Sequence, residues 1–285
     1  MAGLVPAIHV LSKLEEKTWM PGIKPGMTES VNRTMPNSNT NQPRRTLLLT
    51  GASRGIGHAT VKRFSAAGWR VITCSRHGFP ENCPWEMGPE DHIQVDLADP
   101  ASTDAAISEI KNRLEDGELH ALVNNAAISP KAEGGKRLGS IDTARETWSH
   151  VFQVNFFAPI MLARGLLEEL KRAKGAVVNV TSIAGSRVHP FAGTAYSTSK
   201  AALASLTREM AADFGALGVR VNAIAPGEID TAMLSPGTEE IVAHQIPMHR
   251  LGTTDEVAKI IYVLCTETSS YVNGAEIHIN GGQHV

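Results

Sequence analysis

The feature that most constrains this chain is a regular alternation of short apolar runs with longer amphipathic stretches, which begins at Arg45 and continues to the C-terminus. Short continuous apolar runs are typical of strands buried on both faces, and amphipathic stretches are typical of helices. Strands that alternate with helices predict a doubly wound, mostly parallel sheet with helices on both faces. The sequence therefore predicts an α/β fold.

The same patterns place seven strands and five helices along the chain. The predicted strands are Thr46–Thr50, Arg70–Cys74, His92–Val95, His120–Val123, Ala176–Val180, Val219–Ile224 and Glu276–Ile279. The predicted helices are Gly57–Ala67, Ser102–Leu114, Thr143–Lys171, Tyr196–Phe214 and Thr254–Cys265. We expect the third helix to bend at Pro159. Pro80, Pro84 and Pro89 predict an irregular connection between the second and third strands.

Residues 1–45 differ in composition from the rest of the chain. Four prolines lie between residues 21 and 43 among glycine, asparagine, serine and threonine, which disfavours regular structure. We therefore expect a flexible N-terminal arm over residues 1–45, which translation from Met27 or Met35 would shorten. Residues 46–285 are expected to form a single domain.

Composition and charge exclude several classes of protein. Hydrophobic residues make up 42% and charged residues 20% of the chain, which is ordinary for a globular domain. The net charge of -2 lacks the basic excess of a nucleic-acid binder, and no apolar run approaches the ~18 residues of a membrane span. Cys74, Cys83 and Cys265 are too few for a disulfide framework or a zinc site. We expect a cytoplasmic protein with reduced thiols that binds no nucleic acid, membrane or metal.

A glycine-rich turn over Thr50–Gly57 (T-G-A-S-R-G-I-G) joins the first predicted strand to the first predicted helix. Glycines here allow a tight turn and a close approach of the backbone to a pyrophosphate at the helix N-terminus. Glycine spacing alone is a weak signal, but its place in a strand–helix–strand unit is typical of a Rossmann-like dinucleotide site. The candidate phosphate-binding residues are Gly51, Ser53, Arg54, Gly55, Ile56 and Gly57.

The end of the second predicted strand selects between the two nicotinamide cofactors. An acidic residue there would bind the free 2′-hydroxyl of NAD, but this chain has Ser75 and Arg76. A guanidinium pairs with a 2′-phosphate through two parallel charged hydrogen bonds, and Arg54 would supply a second one. Either arginine alone could be a solvated surface charge. Both together, without an acid, favour NADP(H) over NAD(H).

Tyr196 and Lys200 open the fourth predicted helix at a spacing of four residues, which places them on one face. A phenol has an ordinary pKa of about 10, and a nearby ammonium group lowers it toward the range useful for proton transfer. Ser182 follows the fifth strand, so its hydroxyl can emerge at the carboxyl edge of the sheet, where ligands bind. Asn155 lies on the preceding helix, and both it and Ser182 could equally be structural hydrogen-bonding residues.

Over residues 45–285 the chain resembles the short-chain dehydrogenase/reductase family in its compact, single-domain form. The glycine-rich turn matches the family's cofactor turn. The family's catalytic tetrad is matched in order and approximate spacing by Asn155, Ser182, Tyr196 and Lys200. Other segments that resemble family motifs are Asp96, Asn124–Ala127 (N-N-A-A, with Ala127 where the family usually has glycine) and Pro226–Thr231 (P-G-E-I-D-T).

The resemblance implies a Rossmann-type catalytic domain in which Tyr196 exchanges a proton with a small-molecule carbonyl or alcohol substrate. Lys200 would lower the pKa of Tyr196 and bind the nicotinamide ribose, and Ser182 would polarise the carbonyl. Asn155 would hold a water that connects Lys200 to solvent. The further cofactor contacts implied are Ser75, Arg76, Asp96, Leu97, Asn124, Ala126, Tyr196, Lys200, Pro226, Gly227, Ile229 and Thr231. Relatives of this kind form a homotetramer or a homodimer.

The substrate pocket is expected between two segments, Gly185–Thr194 and Glu228–Arg250. Candidate lining residues, each equally explained by loop packing, are Arg187, His189, Phe191, Met233 and Met248. Three functions remain open: an NADPH-linked carbonyl reductase or alcohol dehydrogenase, an NAD-dependent alcohol dehydrogenase of the same family, and a non-catalytic NADP-binding regulatory subunit. The complete tetrad favours the first, and the sequence names no substrate.

Overall fold

A computed structural model describes residues 44–78, 88–232 and 234–285 of the chain. Within these ranges seven strands form one sheet in the order β3-β2-β1-β4-β5-β6-β7, and every neighbouring pair is parallel. The strands are β1 Thr46–Thr50, β2 Arg70–Ser75, β3 His92–Gln94, β4 Ala121–Asn124, β5 Ala176–Val180, β6 Arg220–Pro226 and β7 Glu276–Ile279. The expected N-terminal arm, apart from Arg44 and Arg45, and most of the proline-rich connection lie outside the described residues.

Helices cover both faces of the sheet, as the strand–helix alternation predicts. They are α1 Gly55–Ala66, α2 Pro100–Arg113, α3 Arg145–Phe152, α4 Ala158–Gly165, α5 Leu167–Ala173, α6 Thr194–Gly215, α7 Thr238–Gln245 and α8 Thr254–Leu264. Leu47 and Leu49 of β1 pack in one core with residues of α1 and α8, whereas Leu48 packs in the other with residues of α2, α4 and α6. Because successive side chains of a strand alternate between faces, the apolar run of β1 supplies both cores. The predicted doubly wound α/β fold is confirmed.

The strand order reverses beside β1. The chain proceeds outward from β1 through β2 to β3, and then returns to place β4 on the other side of β1. Since all the strands are parallel, their carboxyl ends share one edge, and the crossovers leave a crevice between β1 and β4. The glycine-rich turn after β1 lies at this crevice.

The predicted long helix Thr143–Lys171 is not one helix. After α3 comes a π-helical turn over Gln153–Phe157, in which the N–H of Ala158 bonds to the carbonyl of Gln153, and α4 follows directly. Leu166 then leaves the helical conformation, with ψ of 16°, and separates α4 from α5. Pro159 lies in the first turn of α4, directly after the irregular turn, and the bend expected there stays a prediction. None of the helices in the described ranges is long and apolar enough to span a membrane.

Candidate active site

A cavity of about 720 Å³ opens at the carboxyl edge of the sheet, across the reversal of strand order. It brings together most of the residues that the sequence analysis proposed for binding and catalysis. The proposed residues that line it are Gly51, Ser53, Arg54, Gly55, Ile56, Ser75, Arg76, Asp96, Leu97, Ala126, Ser182, Tyr196, Lys200, Pro226, Gly227, Ile229 and Thr231. The remaining three, Gly57, Asn124 and Asn155, are buried behind this wall.

Two glycines bring the turn after β1 close to the loop after β4. Gly51 has a φ of 71°, and a Cβ atom on it would lie 2.8 Å from the Cα of Ala126. A Cβ atom on Gly57 would lie only 2.1 Å from the carbonyl oxygen of Gly51. A side chain at either position would overlap neighbouring backbone atoms. The turn can therefore pack this closely only with glycine at both positions.

Asn125, which was not among the expected site residues, stabilises the glycine-rich turn by hydrogen bonds. Its side-chain amide donates hydrogen bonds to the carbonyls of Thr50 and Gly51, at 3.1 and 2.9 Å. The backbone N–H groups of Asn125 and Ala126 both donate to the hydroxyl of Thr50, at 3.1 and 3.0 Å. Its neighbour Asn124 instead donates to Asn179 of β5 at 2.9 Å, inside the sheet. Of the two neighbouring asparagines, Asn125 thus stabilises the turn and Asn124 connects β4 to β5.

The turn and the end of β2 present positive groups to the cavity. Helix α1 begins at Gly55, so its first N–H groups and the positive end of its dipole face the space lined by the turn. Arg54 and Arg76 both line the cavity and are exposed. The hydroxyl of Ser75 donates to the carbonyl of His77 at 2.9 Å, and β2 ends without a carboxylate. A glycine cradle, a helix N-terminus and two guanidinium groups fit a phosphorylated dinucleotide.

In the first turns of α6, Lys200 is buried and Tyr196 is half-buried. The pKa of Tyr196 lies above its ordinary value, because burial raises it more than a hydrogen bond with Ser182 lowers it, and the charge of Glu228 raises it further. The expected lowering of this pKa by Lys200 is therefore wrong for the protein without cofactor. The Nζ atom of Lys200 donates to the carbonyl of Val180 at 2.6 Å, and burial lowers the pKa of Lys200 to about 7. The site thus holds a protonated phenol next to an amine that titrates near neutrality, a pair suited to proton transfer.

Asn155 supports the site from inside the π-helical turn. Its Oδ1 accepts from the N–H of Ile128 at 2.9 Å, and its Nδ2 donates to the carbonyl of Ile128 at 3.0 Å and to the hydroxyl of Ser199 at 3.1 Å. Ser199 in turn donates to the carbonyl of Tyr196 at 2.7 Å. Asn155 therefore ties the loop after β4 to the helix that carries Tyr196 and Lys200.

A second cavity of about 570 Å³ shares Ser182 and Tyr196 with the first, is also lined by Arg54 and Arg76, and reaches the loop before α6. Of the candidate substrate residues, His189 and Phe191 line it. Arg187 donates instead to the carbonyl of Gln283, and Met248 is largely exposed. Met233 lies outside the described residues.

Glu228, which was proposed only as the start of a pocket segment, lines both cavities. Its position within P-G-E-I-D-T was the available signal, because this acidic residue lies between Gly227 and Ile229, two of the expected cofactor contacts.

The chain is similar in sequence and in fold to known proteins. A family model described as Enoyl-(Acyl carrier protein) reductase matches residues 51–284. The chain is similar to Protein FixR of Bradyrhizobium diazoefficiens, at 62% identity over 242 residues that cover 85% of this chain and 87% of that protein.

Two solved structures resemble the chain over most of its length. One is an oxidoreductase (short chain dehydrogenase/reductase family) from Brucella ovis in complex with a partially ordered NAD, at 69% identity and a TM-score of 0.75, covering 84% of this chain and 100% of that one. The other is ElxO with NADP bound, at 28% identity and a TM-score of 0.75, covering 85% of this chain and 99% of that one.

Proposed function

Because the chain belongs to the short-chain dehydrogenase/reductase family of oxidoreductases, we propose that it transfers a hydride between NADP(H) and a carbonyl or secondary alcohol substrate. The observation that carries the proposal is the convergence of Ser182, Tyr196 and Lys200 on the cavity whose other half is the glycine turn. Residues 46–285 are proposed as the catalytic domain, so a chain that begins at Arg44 should retain the activity.

Each residue of the site has a proposed part in the reaction. Tyr196 donates its proton to the carbonyl oxygen in reduction and takes it back in oxidation, so it is the general acid and base. Ser182, which is hydrogen-bonded to Tyr196, holds and polarises the same oxygen. Lys200 supplies an exchangeable proton next to Tyr196, since burial brings its pKa to about 7. The hydride itself is supplied by the nicotinamide when the cofactor is bound.

Asn155 is a positioning residue in this scheme. Its contacts with Ile128 and Ser199 hold the loop and the helix between which the proton passes. The family resemblance further supports a water on Asn155 that connects Lys200 to solvent.

The preference for NADP(H) is supported by Arg54 and Arg76, both on the cavity wall, and by the absence of an acid at the end of β2 in the described chain. Asp96, the acid that lines this part of the cavity, accepts from the N–H of Ala98 at 3.0 Å. The Brucella ovis relative is a complex with NAD and ElxO one with NADP, so NAD(H) is the alternative cofactor for this chain.

A thermal-shift titration with NADP⁺ and NAD⁺ side by side tests the cofactor. A ligand that binds only the folded state raises the melting temperature by mass action, so NADP⁺ should give the larger shift at equal concentration. A larger shift with NAD⁺ would contradict the proposed pairing of Arg54 and Arg76 with a 2′-phosphate and leave the reaction class intact.

Turnover of ketones with NADPH, followed by the absorbance of the reduced nicotinamide, tests the reaction. A non-catalytic regulatory subunit, the second candidate function, predicts cofactor binding without turnover of any carbonyl or alcohol. On the family resemblance we also propose a homotetramer or a homodimer in the cytoplasm, and light scattering during size-exclusion chromatography tests the assembly.

A further inference from the structure

Glu228 and His189 form a pair on the substrate side of the cavity that the proposed reaction does not use. Nε2 of His189 lies 2.6 Å from Oε1 of Glu228, and the two side chains are only 11% and 9% exposed. Glu228 follows the end of β6, and His189 lies in the loop before α6. Both line the second cavity together with Ser182 and Tyr196. The pair therefore borders the space where a substrate carbonyl would meet Tyr196.

Backbone amides fix the tautomer of His189. Its Nδ1 accepts hydrogen bonds from the N–H groups of Phe191 and Ala192, at 3.2 and 3.3 Å. A nitrogen that accepts carries no proton, so the proton is on Nε2, which donates it to Glu228. The imidazole is therefore neutral and leaves the negative charge of the carboxylate uncancelled.

The charge of Glu228 has no cationic partner within the described ranges, where no lysine or arginine lies at ion-pair distance from it. Lys131, which lines the same cavity, donates to the carbonyl of Phe191 instead. Only Oε1 of Glu228 is hydrogen-bonded to the described residues, which leaves Oε2 available toward the cavity. The carboxylate also raises the pKa of Tyr196, so its field reaches the reacting hydroxyl.

We propose that Glu228, oriented by His189, binds a hydrogen-bond-donating group of the substrate, a hydroxyl or an ammonium, carried next to the carbonyl that reacts with Tyr196. This inference rests on the proposed function. A carboxylate largely removed from water is stabilised by a donor, and hydrogen bonds to a charged group are about twice as strong as neutral ones. The same charge repels an anionic substituent at that position. The substrate class is therefore hydroxy- or amino-substituted ketones.

Ligand binding to the protein saturated with NADP⁺ tests the inference without turnover, because the oxidised cofactor cannot reduce a ketone. In butanone, hydroxyacetone and aminoacetone a methyl, a hydroxyl or an ammonium group stands on the carbon next to the carbonyl. In pyruvate a carboxylate replaces that carbon. Ligand-observed NMR measures each dissociation constant. We expect hydroxyacetone or aminoacetone to bind about tenfold more tightly than butanone, and pyruvate to bind most weakly. Equal constants for all four ketones, or no binding, overturn the proposal.

Hydroxyacetone and aminoacetone show whether the group that donates to Glu228 is a hydroxyl or an ammonium. Tighter binding of aminoacetone identifies a cationic substrate, and tighter binding of hydroxyacetone identifies a hydroxylated one. The Glu228→Gln variant keeps the size of the side chain and removes its charge, so the preference over butanone should fall below about threefold. In the matched control Glu239→Gln, on the exposed first turn of α7, the preference should be retained.

A purely structural role for the pair predicts a different result. In that case Glu228→Gln lowers the melting temperature and leaves the ranking of the four ketones unchanged, which would overturn the proposal. Turnover of the same ketones by the wild-type holoenzyme, with NADPH and with NADH, distinguishes failure of the proposed function from failure of the proposed role of Glu228. No turnover contradicts the proposed function, whereas turnover without a donor preference contradicts only the role of Glu228.

Discussion

The Nζ atom of Lys200 lies 5.7 Å from the centre of the Tyr196 ring, one helical turn further along α6. The same atom donates to the carbonyl of Val180, the last residue of β5. Lys200 therefore connects the helix that carries the phenol to the strand that leads to Ser182. Because Lys200 is buried, we expect the charge state of its amine to affect both the stability of the protein and its catalysis.

Lys200 should make the stability of the protein depend on pH. Its pKa is about 7 in the folded state and 10.5 as the ordinary value, so between these values the unfolded chain binds more protons than the folded one. The free energy of unfolding therefore rises with pH across this window and falls as the pH decreases toward 7. Below 7 both states are protonated and this contribution no longer changes.

Urea denaturation of wild type and Lys200→Met measures this contribution. Each pH unit within the window contributes at most about 1.4 kcal/mol, so two units should stabilise the wild type by about 2 kcal/mol more than the variant. The raised pKa of Tyr196 acts only in more alkaline solution, where its sign is opposite. Parallel pH profiles for the two proteins would show that Lys200 is not the titrating group.

Tyr196→Phe should lower kcat by about 10²- to 10⁴-fold, because a general acid and base contributes that much to the rate. The phenyl ring fills the same space as the phenol ring, so the dissociation constant for NADP⁺ should change by less than about threefold. Steady-state kinetics and fluorescence titration of the cofactor measure the two effects. Turnover at the wild-type rate would exclude Tyr196 as the proton donor.

Arg76→Ala should weaken the binding of NADP⁺ by about tenfold or more, because a charge-assisted hydrogen bond to a phosphate is lost. The affinity for NAD⁺, which lacks the 2′-phosphate, should change much less. Arg208→Ala, on the exposed face of α6, is the matched control and should leave both affinities unchanged. A variant that loses affinity for both cofactors equally would contradict a role specific to the 2′-phosphate.

Gly57→Ala should destabilise the fold, because its Cβ atom would lie 2.1 Å from the carbonyl oxygen of Gly51. The backbone must move to relieve this overlap, at a cost of about 1–3 kcal/mol. The displaced turn should also bind either cofactor more weakly. Gly139→Ala is the control, since the nearest atoms to its Cβ are side-chain atoms at 3.6 and 3.9 Å. Thermal denaturation of the two variants, with and without NADP⁺, gives the comparison.

The sheet could be predicted from the sequence because its central strands β1, β4 and β5 are buried on both faces. The bounds predicted for β1, β5 and β7 are those of the structure, and the other strands differ by no more than a few residues. The prediction of one continuous helix over Thr143–Lys171 was wrong, because an amphipathic pattern becomes visible only over several turns. One π-helical turn and one non-helical residue disturb that pattern only locally, so the apolar period still favours a single helix.

The site was predictable where one motif supplies several of its residues, as in the turn and in Tyr196 with Lys200. Pairs that join distant loops leave no such pattern. His189 and Glu228 are separated by 39 residues, and their contact depends on how the loops after β5 and β6 pack. Asn124 and Asn125 show a related difficulty, since the strand's alternation of faces decides which of two identical neighbours reaches the turn.

The π-helical turn at Gln153–Phe157 restricts the length of the chain as well as its residues. A π-helical turn contains an additional residue relative to an α-helical turn. Deleting one residue there would let the turn close as regular α-helix, and α3 and α4 would keep their faces, because the wide turn is what absorbs the additional residue. The change would fall on Asn155, which contacts Ile128 and Ser199 from inside the wide turn. This segment is therefore intolerant of single-residue insertions and deletions, even where substitutions of its apolar neighbours are accepted.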